Sequence, residues 1–392
     1  MQGFLQPRTS FRGFTLAARL DDNVFGSVLA MPEPRFLPRS AHPVDYPLFT
    51  RGWTYQEHQL SPRVLIYGSR EIIYWCAESS HRDGGNEHFH WQEHNHYASL
   101  LFYQAQLETL VSSNKPPNLQ KSWSDVVENY SQRKLTVEND KLPAVAAVAE
   151  QYANSMSVSG EDYLAGLWRE DLLSQCLWRV WDPKKTRRPV AYRAPSWSWA
   201  ALDGGIYPYV HVPQHENDME ERRVSCCTCV LIQAETTLSS ENMPFGNVQT
   251  GMMRIRTKMR RVIWLNQDEY RDGKYQALGP SCGRDPDMSD EELALLGHLD
   301  GADPRLTINI DVVGEWAASS EVGLWSAEIH AVSRCGGDEN EVESAEGLLL
   351  EPVAGTDTFK RVGTISVQTR EYMREPYWFS DQSTEWREIT IL

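Results

Sequence analysis

The sequence predicts an α+β fold in three parts: a helix with a β-hairpin, a helical middle segment and a β-rich C-terminal region. Three observations carry this expectation. Residues 51–76 read as one helix followed by two short runs of β-branched and aromatic residues. Residues 87–178 place apolar side chains at helical spacing between prolines, and from Val224 onward strand-like runs alternate with acidic, Gly-rich loops. The corresponding domains are 1–80, 81–212 and 213–392.

Taken in order, residues 1–48 hold Pro32, Pro34, Pro38, Pro43 and Pro47 without clear periodicity, the pattern of an extended lead-in. A helix then fits between Thr50, a hydroxyl N-cap, and Pro62, which forces Ser61 into extended geometry. On it Trp53, Gln56, Glu57 and Leu60 fall at i, i+3, i+4 and i+7 and share a face. Glu57 is thereby set among groups that look buried. Burying an ionised carboxylate alone costs several kcal/mol, so Glu57 is expected either to pair with Arg51 or Arg63 or to carry a raised pKa. A structural ion pair and a working acid or base are both consistent with that pattern. The runs 63–67 and 71–76, joined by Gly68 and Ser69, read as a hairpin.

Helices are expected over 87–111, closed by Pro116 and Pro117, and over 123–135 with Val126, Val127 and Tyr130 inward. A third is expected over 142–152, with Pro143 near its first turn, where proline is suited. The fourth spans 160–178, where Leu164, Trp168, Leu172 and Cys176 recur every four residues. In residues 192–205 the alternation Ser196-Trp197-Ser198-Trp199 predicts a strand with both indoles on one side, ended by a turn at Asp203-Gly204. Trp197 and Trp199 are expected as core anchors, a ligand-stacking platform being the other reading. Strands follow over 224–232, 252–265, 306–312, 322–332, 348–353 and 361–367.

The 392 residues can bury a substantial core, and the net charge of -16 repels phosphate backbones and anionic membrane surfaces. Nucleic acid and membrane are therefore not expected as partners, and the basic runs 184–188 and 254–261 read as solvated loop and strand faces. No apolar run approaches the roughly 18 to 20 residues that span a bilayer. Seven cysteines, an odd count with none in the first 75 residues, fit a reducing, cytoplasmic compartment. Arg8, Arg12 and Arg19 without an acid give the first twenty residues a presequence-like composition, but Pro7 and Gly13 break the helix such a peptide needs.

Two further constellations bear on chemistry. His90-Trp91-Gln92-Glu93-His94 is an H-x-x-E-H string whose histidines, at i and i+4, could hold zinc with Glu93 as base, as in a zinc-dependent peptidase. A solvated polar helix face is the simpler reading, and no third ligand can be assigned, so no metal is expected. Cys226 and Cys229 have C-x-x-C spacing without a second pair, and strand alternation separates Cys226 from Cys227 and Cys229, which suits packing. Gly-rich phosphate cradles and a G-x-S-x-G elbow do not occur.

The string Arg51-Gly52-Trp53-Thr54-Tyr55-Gln56-Glu57, followed by Leu60-Ser61-Pro62-Arg63-Val64-Leu65 and by Tyr74-Trp75-Cys76, closely resembles the last block of the fungal heterokaryon incompatibility (HET) domain. Trp123 with Val127-Glu128-Asn129-Tyr130-Ser131, then Leu135-Thr136 and Asp140-Lys141-Leu142-Pro143-Ala144, resembles the helical segment that follows it in such proteins. Tyr163-Leu164-Ala165-Gly166-Leu167-Trp168 and Arg193-Ala194-Pro195-Ser196-Trp197-Ser198-Trp199-Ala200 resemble the family's C-terminal signatures. The likeness covers residues 45–205 well and the β-rich remainder weakly. The family's N-terminal motifs, an aromatic-Trp-Gly strand and an Ile-Asp-x-x-Cys-Ile-like strand and helix, are missing here. The chain is thus expected to be a truncated product or to be completed by another polypeptide.

HET domains are similar to Toll/interleukin-1 receptor (TIR) domains, whose active members hydrolyse NAD. The resemblance therefore implies that residues 1–80 are the C-terminal remnant of a TIR-like domain. It makes Glu57 the catalytic carboxylate that stabilises the ribosyl oxocarbenium ion as nicotinamide leaves, with Arg51, Trp53, Gln56 and Arg63 in support. NAD is then a substrate and no cofactor is needed. It implies an intracellular protein of fungal nonself recognition and incompatibility-linked cell death, working with a protein partner and incomplete for NAD hydrolysis. The alternative is a noncatalytic interaction module that uses residues 224–392 as its partner-binding surface.

Overall fold

The computed structural model describes residues 14–21, 24–30, 47–67, 72–76, 80–82, 119–209, 223–262, 275–276, 306–312, 324–334, 342–368 and 384–392. These fall into two compact units, one within Met1–Pro117 plus Arg133–Leu135, the other within Asn118–Gln132 plus Thr136–Leu392. Residues 118–132 and 136–212 of the expected helical domain lie in the same unit as the β-rich region, and residues 81–117 and 133–135 lie in the other. The architecture is α+β. The expected helix over 87–111 and the His90–Glu93–His94 string lie outside the described residues.

In the first unit the expected lead-in contains an antiparallel hairpin, β1 (Phe14–Asp21) with β2 (Val24–Ala30), in register from Phe14↔Ala30 to a shift near Asp21. After a 3₁₀ turn at Pro47–Thr50 comes helix α1, Thr54–Leu60. It starts later than Thr50 predicts. Arg51 pairs in parallel with Lys134 instead: the Gly52 amide donates to the Lys134 carbonyl at 2.8 Å and the Lys134 amide to the Thr50 carbonyl at 2.7 Å. The backbone of residues 50–52, just ahead of the helix, is thus paired with a distant segment rather than wound into its first turn. The end falls where Pro62 places it, with Ser61 extended at φ -75° and ψ 124°.

β3 (Arg63–Tyr67) and β4 (Ile72–Cys76) form the expected hairpin, in register from Arg63↔Cys76 to Tyr67↔Ile72, and β5 (Ser80–Arg82) adds a third strand beside β4.

The second unit opens with α2 (Leu119–Ser131), whose Trp123, Val126, Val127 and Tyr130 are buried. In α3 (Pro143–Met156) proline occupies the first turn, and the buried set Ala144, Val145, Val148, Ala149, Tyr152 and Ala153 is the stripe that 3.6-residue periodicity demands. The helix expected over 160–178 does not form. Its place is taken by a 3₁₀ turn at Gly160–Asp162, a tight hairpin of β6 (Tyr163–Leu164) and β7 (Leu167–Trp168), and the single turn α4 (Leu172–Gln175). Ala165 at φ 50° and Gly166 at φ 99° make the turn, and two successive residues with positive φ cannot lie in a right-handed helix. All of residues 163–168 are buried, so the four-residue apolar recurrence reflects burial on every side. β8 (Arg179–Val180) pairs with β9 (Ile206–Tyr207). The Ser-Trp-Ser-Trp strand is likewise replaced, by turns and a 3₁₀ turn at Trp199–Ala201 whose Ala200 amide is capped by Ser198 Oγ at 3.0 Å.

The β-rich region supplies β10 (Arg223–Cys227), β11 (Val230–Leu238), β12 (Val248–Val262), β13 (Tyr275–Gln276), β14 (Leu306–Ile310), β15 (Leu324–Arg334), β16 (Val342–Pro352), β17 (Thr358–Gln368) and β18 (Glu385–Ile391). The run expected over 224–232 is two strands because its halves pair differently, β10 with β15 and β11 with β12. Strands β12, β15, β16, β17 and β18 close on themselves: each pairs with the next, and β18 pairs back onto β12. The seam between β17 and β18 is parallel and only two pairs long, Thr358↔Thr390 and Phe359↔Ile391. Met253, Ile255, Met259, Ala327, Ile329, Ile365, Ile389 and Ile391 alternate inward and fill the barrel. Among the described residues no helix is long and apolar enough to cross a membrane.

Candidate functional site

Helix α1 buries Thr54, Tyr55, His58 and Gln59. The face predicted to be inward is rotated out. Glu57, Arg51 and Arg63 are exposed, Trp53 is 39% exposed, and Gln56 and Leu60 are half-buried. The burial that the sequence pattern suggests for Glu57 is therefore absent. Gln56 keeps its Oε1 out of water, with no hydrogen-bond partner among the described residues.

The buried charge beside α1 is Arg133, which sequence reasoning missed. Its guanidinium lies 4.7 Å from the centre of the Tyr55 ring and 5.8 Å from that of Phe49, and Nη1 reaches the Arg51 carbonyl and Thr54 Oγ1 at 3.4 Å each. Thr54 Oγ1 is also within hydrogen-bond reach of the Leu48 and Arg51 carbonyls. Phe49 meets His58 edge to face at 5.2 Å. Burial, helped by the Arg133 charge, lowers the His58 pKa to about 4. At neutral pH His58 is an uncharged packing group and Arg133 is the cation. Only contact order hides this cluster from sequence reading, because Arg133 is brought to α1 by the Arg51–Lys134 pairing.

In the second unit Trp123, Ser198 and Trp199 converge on the Ala165–Gly166 turn. The Gly166 carbonyl accepts from Trp123 Nε1 at 3.0 Å and Trp199 Nε1 at 2.8 Å, and Ser198 Oγ donates to the Ala165 carbonyl at 2.5 Å. Trp197 and Trp199 are buried, at 0% and 1% exposure. Trp178 Nε1 donates to the Trp197 carbonyl at 2.9 Å, and the Arg361 guanidinium stacks 3.3 Å from the Trp178 ring centre. Arg361 is fully buried, pairs with Asp311 through Nη1 and Oδ2 at 2.5 Å, and donates Nε to the Cys176 carbonyl at 3.1 Å. Burial pushes the Cys176 thiol up to about 12 against the opposing pull of Arg361, so this cysteine is inert at neutral pH.

A second enclosed cation, Lys141, donates Nζ to the Ser131 carbonyl at 2.9 Å and sits 5.6 Å and 5.8 Å from the Tyr130 and Trp199 ring centres. Burial, then the neighbouring Arg193 charge, lowers its pKa to about 7, with Asp203 acting in the opposite direction. Arg193 itself is held by Asp203 Oδ1 at 2.8 Å, the Ala200 carbonyl at 2.7 Å and the Glu138 carbonyl at 2.9 Å. Ser174 Oγ and His330 Nε2 are 2.8 Å apart, with the imidazole stacked at 6.0 Å on Tyr209. Both are only 9% exposed, and the contact ties α4 to β15.

Among the described residues no group of three or more His, Cys, Asp and Glu is placed to hold a metal. Cys226 and Cys227 stand in β10 opposite Ala331 and His330, and Cys229 is buried beyond the strand. What these arrangements offer is therefore two kinds of feature: buried cation–aromatic clusters that organise each unit, and an α1 surface that presents Arg51, Trp53 and Glu57 to solvent. No protein-family model, no curated protein and no solved structure matches this chain.

Proposed function

We propose that the chain is a HET-like intracellular protein of fungal nonself recognition and incompatibility-linked cell death, and that it works through contact with a protein partner rather than by hydrolysing NAD. The ordered motifs from Arg51 to Ala200 support the family reading, with residues 1–80 as the counterpart of the C-terminal part of a TIR-like domain. The observation that carries the noncatalytic part is the exposure of Glu57. A carboxylate stabilises an oxocarbenium ion most strongly where water is excluded, because bulk water screens the attraction about fourfold more than a protein interior does. On α1 the carboxylate is exposed, and in the same short segment Arg51 is exposed and Trp53 partly so, which suits recognition.

Two measurements test this reading. Purified protein is incubated with NAD and nicotinamide release is followed beside a Glu57→Ala control. Release at the control level is expected, and turnover that depends on Glu57 would overturn the noncatalytic assignment. Expression in a fungal host of incompatible genotype is expected to cause cell death that persists in Glu57→Ala; no death in any host genotype would remove the incompatibility reading.

A further inference from the structure

We propose that Ser174 and His330 form a nucleophile–base pair that takes the acyl group of a small ester. The site lies within the second unit and does not depend on the functional reading above. Ser174 Oγ is 2.8 Å from His330 Nε2, within the reach at which an imidazole takes the proton of an attacking hydroxyl. In the tautomer that carries its proton on Nδ1, Nε2 accepts from Oγ, which is the polarity that activation requires. The fold brings the two together across 156 positions of sequence, Ser174 from the short helix α4 and His330 from β15.

The surroundings favour charge separation in this pair. Glu346 stands opposite His330 in the β15–β16 ladder, so an imidazolium forms beside a carboxylate. That carboxylate is held in place, with Oε2 2.6 Å from Arg179 Nη2 and Oε1 accepting from Ser366 Oγ at 2.8 Å. Its field reaches the ring that stacks on His330: burial, then the Glu346 charge, holds the Tyr209 hydroxyl above its usual range, with Arg179 acting in the opposite direction. The Arg179 and Glu346 side chains are 33% and 21% exposed, so solvent reaches the rim of the cluster. Gln175, next to Ser174, and Tyr209 also line a cavity of about 10 Å³ together with Trp178 and Trp199. Such a space holds one water-sized group, so the acyl chain it selects is short, with acetyl as the fitting size. In the reaction Oγ bonds to the carbonyl carbon as its proton passes to Nε2. The bond from that carbon to the alcohol oxygen then breaks, and the alcohol leaves with the proton. Water, deprotonated in turn by His330, attacks the acyl-serine ester, releases the carboxylic acid and restores the Ser174 hydroxyl.

The first test uses the wild-type chain and a fluorophosphonate, which phosphonylates an activated serine and releases fluoride. Intact mass should show one added group, and peptide mapping should place it on Ser174. Ser174→Ala should abolish the adduct, and His330→Gln should slow its formation by about a hundredfold or more. Ser174→Cys keeps a nucleophile in place and should be alkylated by iodoacetamide at a rate that adding His330→Gln lowers, which separates loss of the nucleophile from loss of the fold. Among p-nitrophenyl esters, the acetate should be cleaved at least about tenfold faster than the decanoate, and only while Ser174 is present. A wild-type chain that takes no label at Ser174, an adduct on another residue instead, or labelling that His330→Gln leaves unchanged would each overturn the proposal and leave the contact as a structural tie.

Discussion

At the scale of single residues, Gly52 shows how a backbone contact selects an amino acid. A Cβ on Gly52 would stand 2.3 Å from Leu135 Cδ2 and 2.8 Å from its Cγ, at the place where residues 50–52 pair with Lys134. Gly52→Ala should destabilise the first unit by about 1 to 3 kcal/mol in urea denaturation, and Leu135→Ala should recover part of that loss in the double variant. His58 gives the same unit a pH response. Its folded pKa of about 4 lies below the ordinary 6.5, so the folded state binds fewer protons than the unfolded chain between those values. The stabilising contribution is complete above pH 6.5 and is lost as pH falls toward 4, by up to about 3 kcal/mol. His58→Phe should flatten that acid limb; an unchanged limb would mean that other groups control it. Neither effect is written in the Arg51–Glu57 string, where the apolar pattern alone suggests the opposite face for burial.

At the scale of elements, the Ala165–Gly166 turn makes two opposed predictions. Gly166 adopts φ 99°, and a Cβ there would lie 2.8 Å from Trp199 Nε1, so Gly166→Ala should cost about 2 to 4 kcal/mol. Ala165 adopts φ 50°, which glycine accepts without strain, so Ala165→Gly should be neutral or stabilise by up to about 1 kcal/mol. Thermal unfolding of the two variants checks both, and equal losses would refute the turn. The prolines and periodicity of α2 and α3 were legible because each helix has one buried stripe and one wet face. Residues 160–178 were not. Their apolar residues are buried on all sides of an irregular path, and complete burial carries no period that distinguishes helix from hairpin. The Ser-Trp alternation failed for a related reason, since both indoles point inward from turns that Ser198 caps.

At the scale of the whole molecule, the two units should respond to pH in different ranges. Lys141 has a folded pKa of about 7 against 10.5 in the unfolded chain, so the second unit releases a proton on folding between those values. Its stability should be greatest above pH 10.5 as far as this group is concerned, and should fall as pH is lowered toward 7, by up to about 4 to 5 kcal/mol. Calorimetry from pH 4 to pH 10 should resolve an acid-sensitive transition that His58→Phe alters and an alkali-favoured increment that Lys141→Met removes. Arg361→Met leaves Asp311 buried without its cation and should cost about 3 to 5 kcal/mol by the same measurement, whereas Lys141→Met strands no anion of its own and should be neutral or stabilising.

What the sequence by itself determined is local. It located α2, α3, the β3–β4 hairpin and most strands of the β-rich region, because proline, capping groups and amphipathic period act within a few residues. It also singled out Trp197 and Trp199 for the core. Tertiary structure alone decided which face of α1 is buried, that Gly52 must be glycine, that five strands close through a two-pair parallel seam, and that Lys141 and Arg361 are tolerated without water. Each of those outcomes depends on a partner far along the chain: Arg133 and Lys134 for α1, Leu135 for Gly52, β18 for the barrel, and Trp199 and Asp311 for the cations. Periodicity measures how a residue stands to its neighbours in sequence, whereas burial of charge is decided by whatever the fold brings against it.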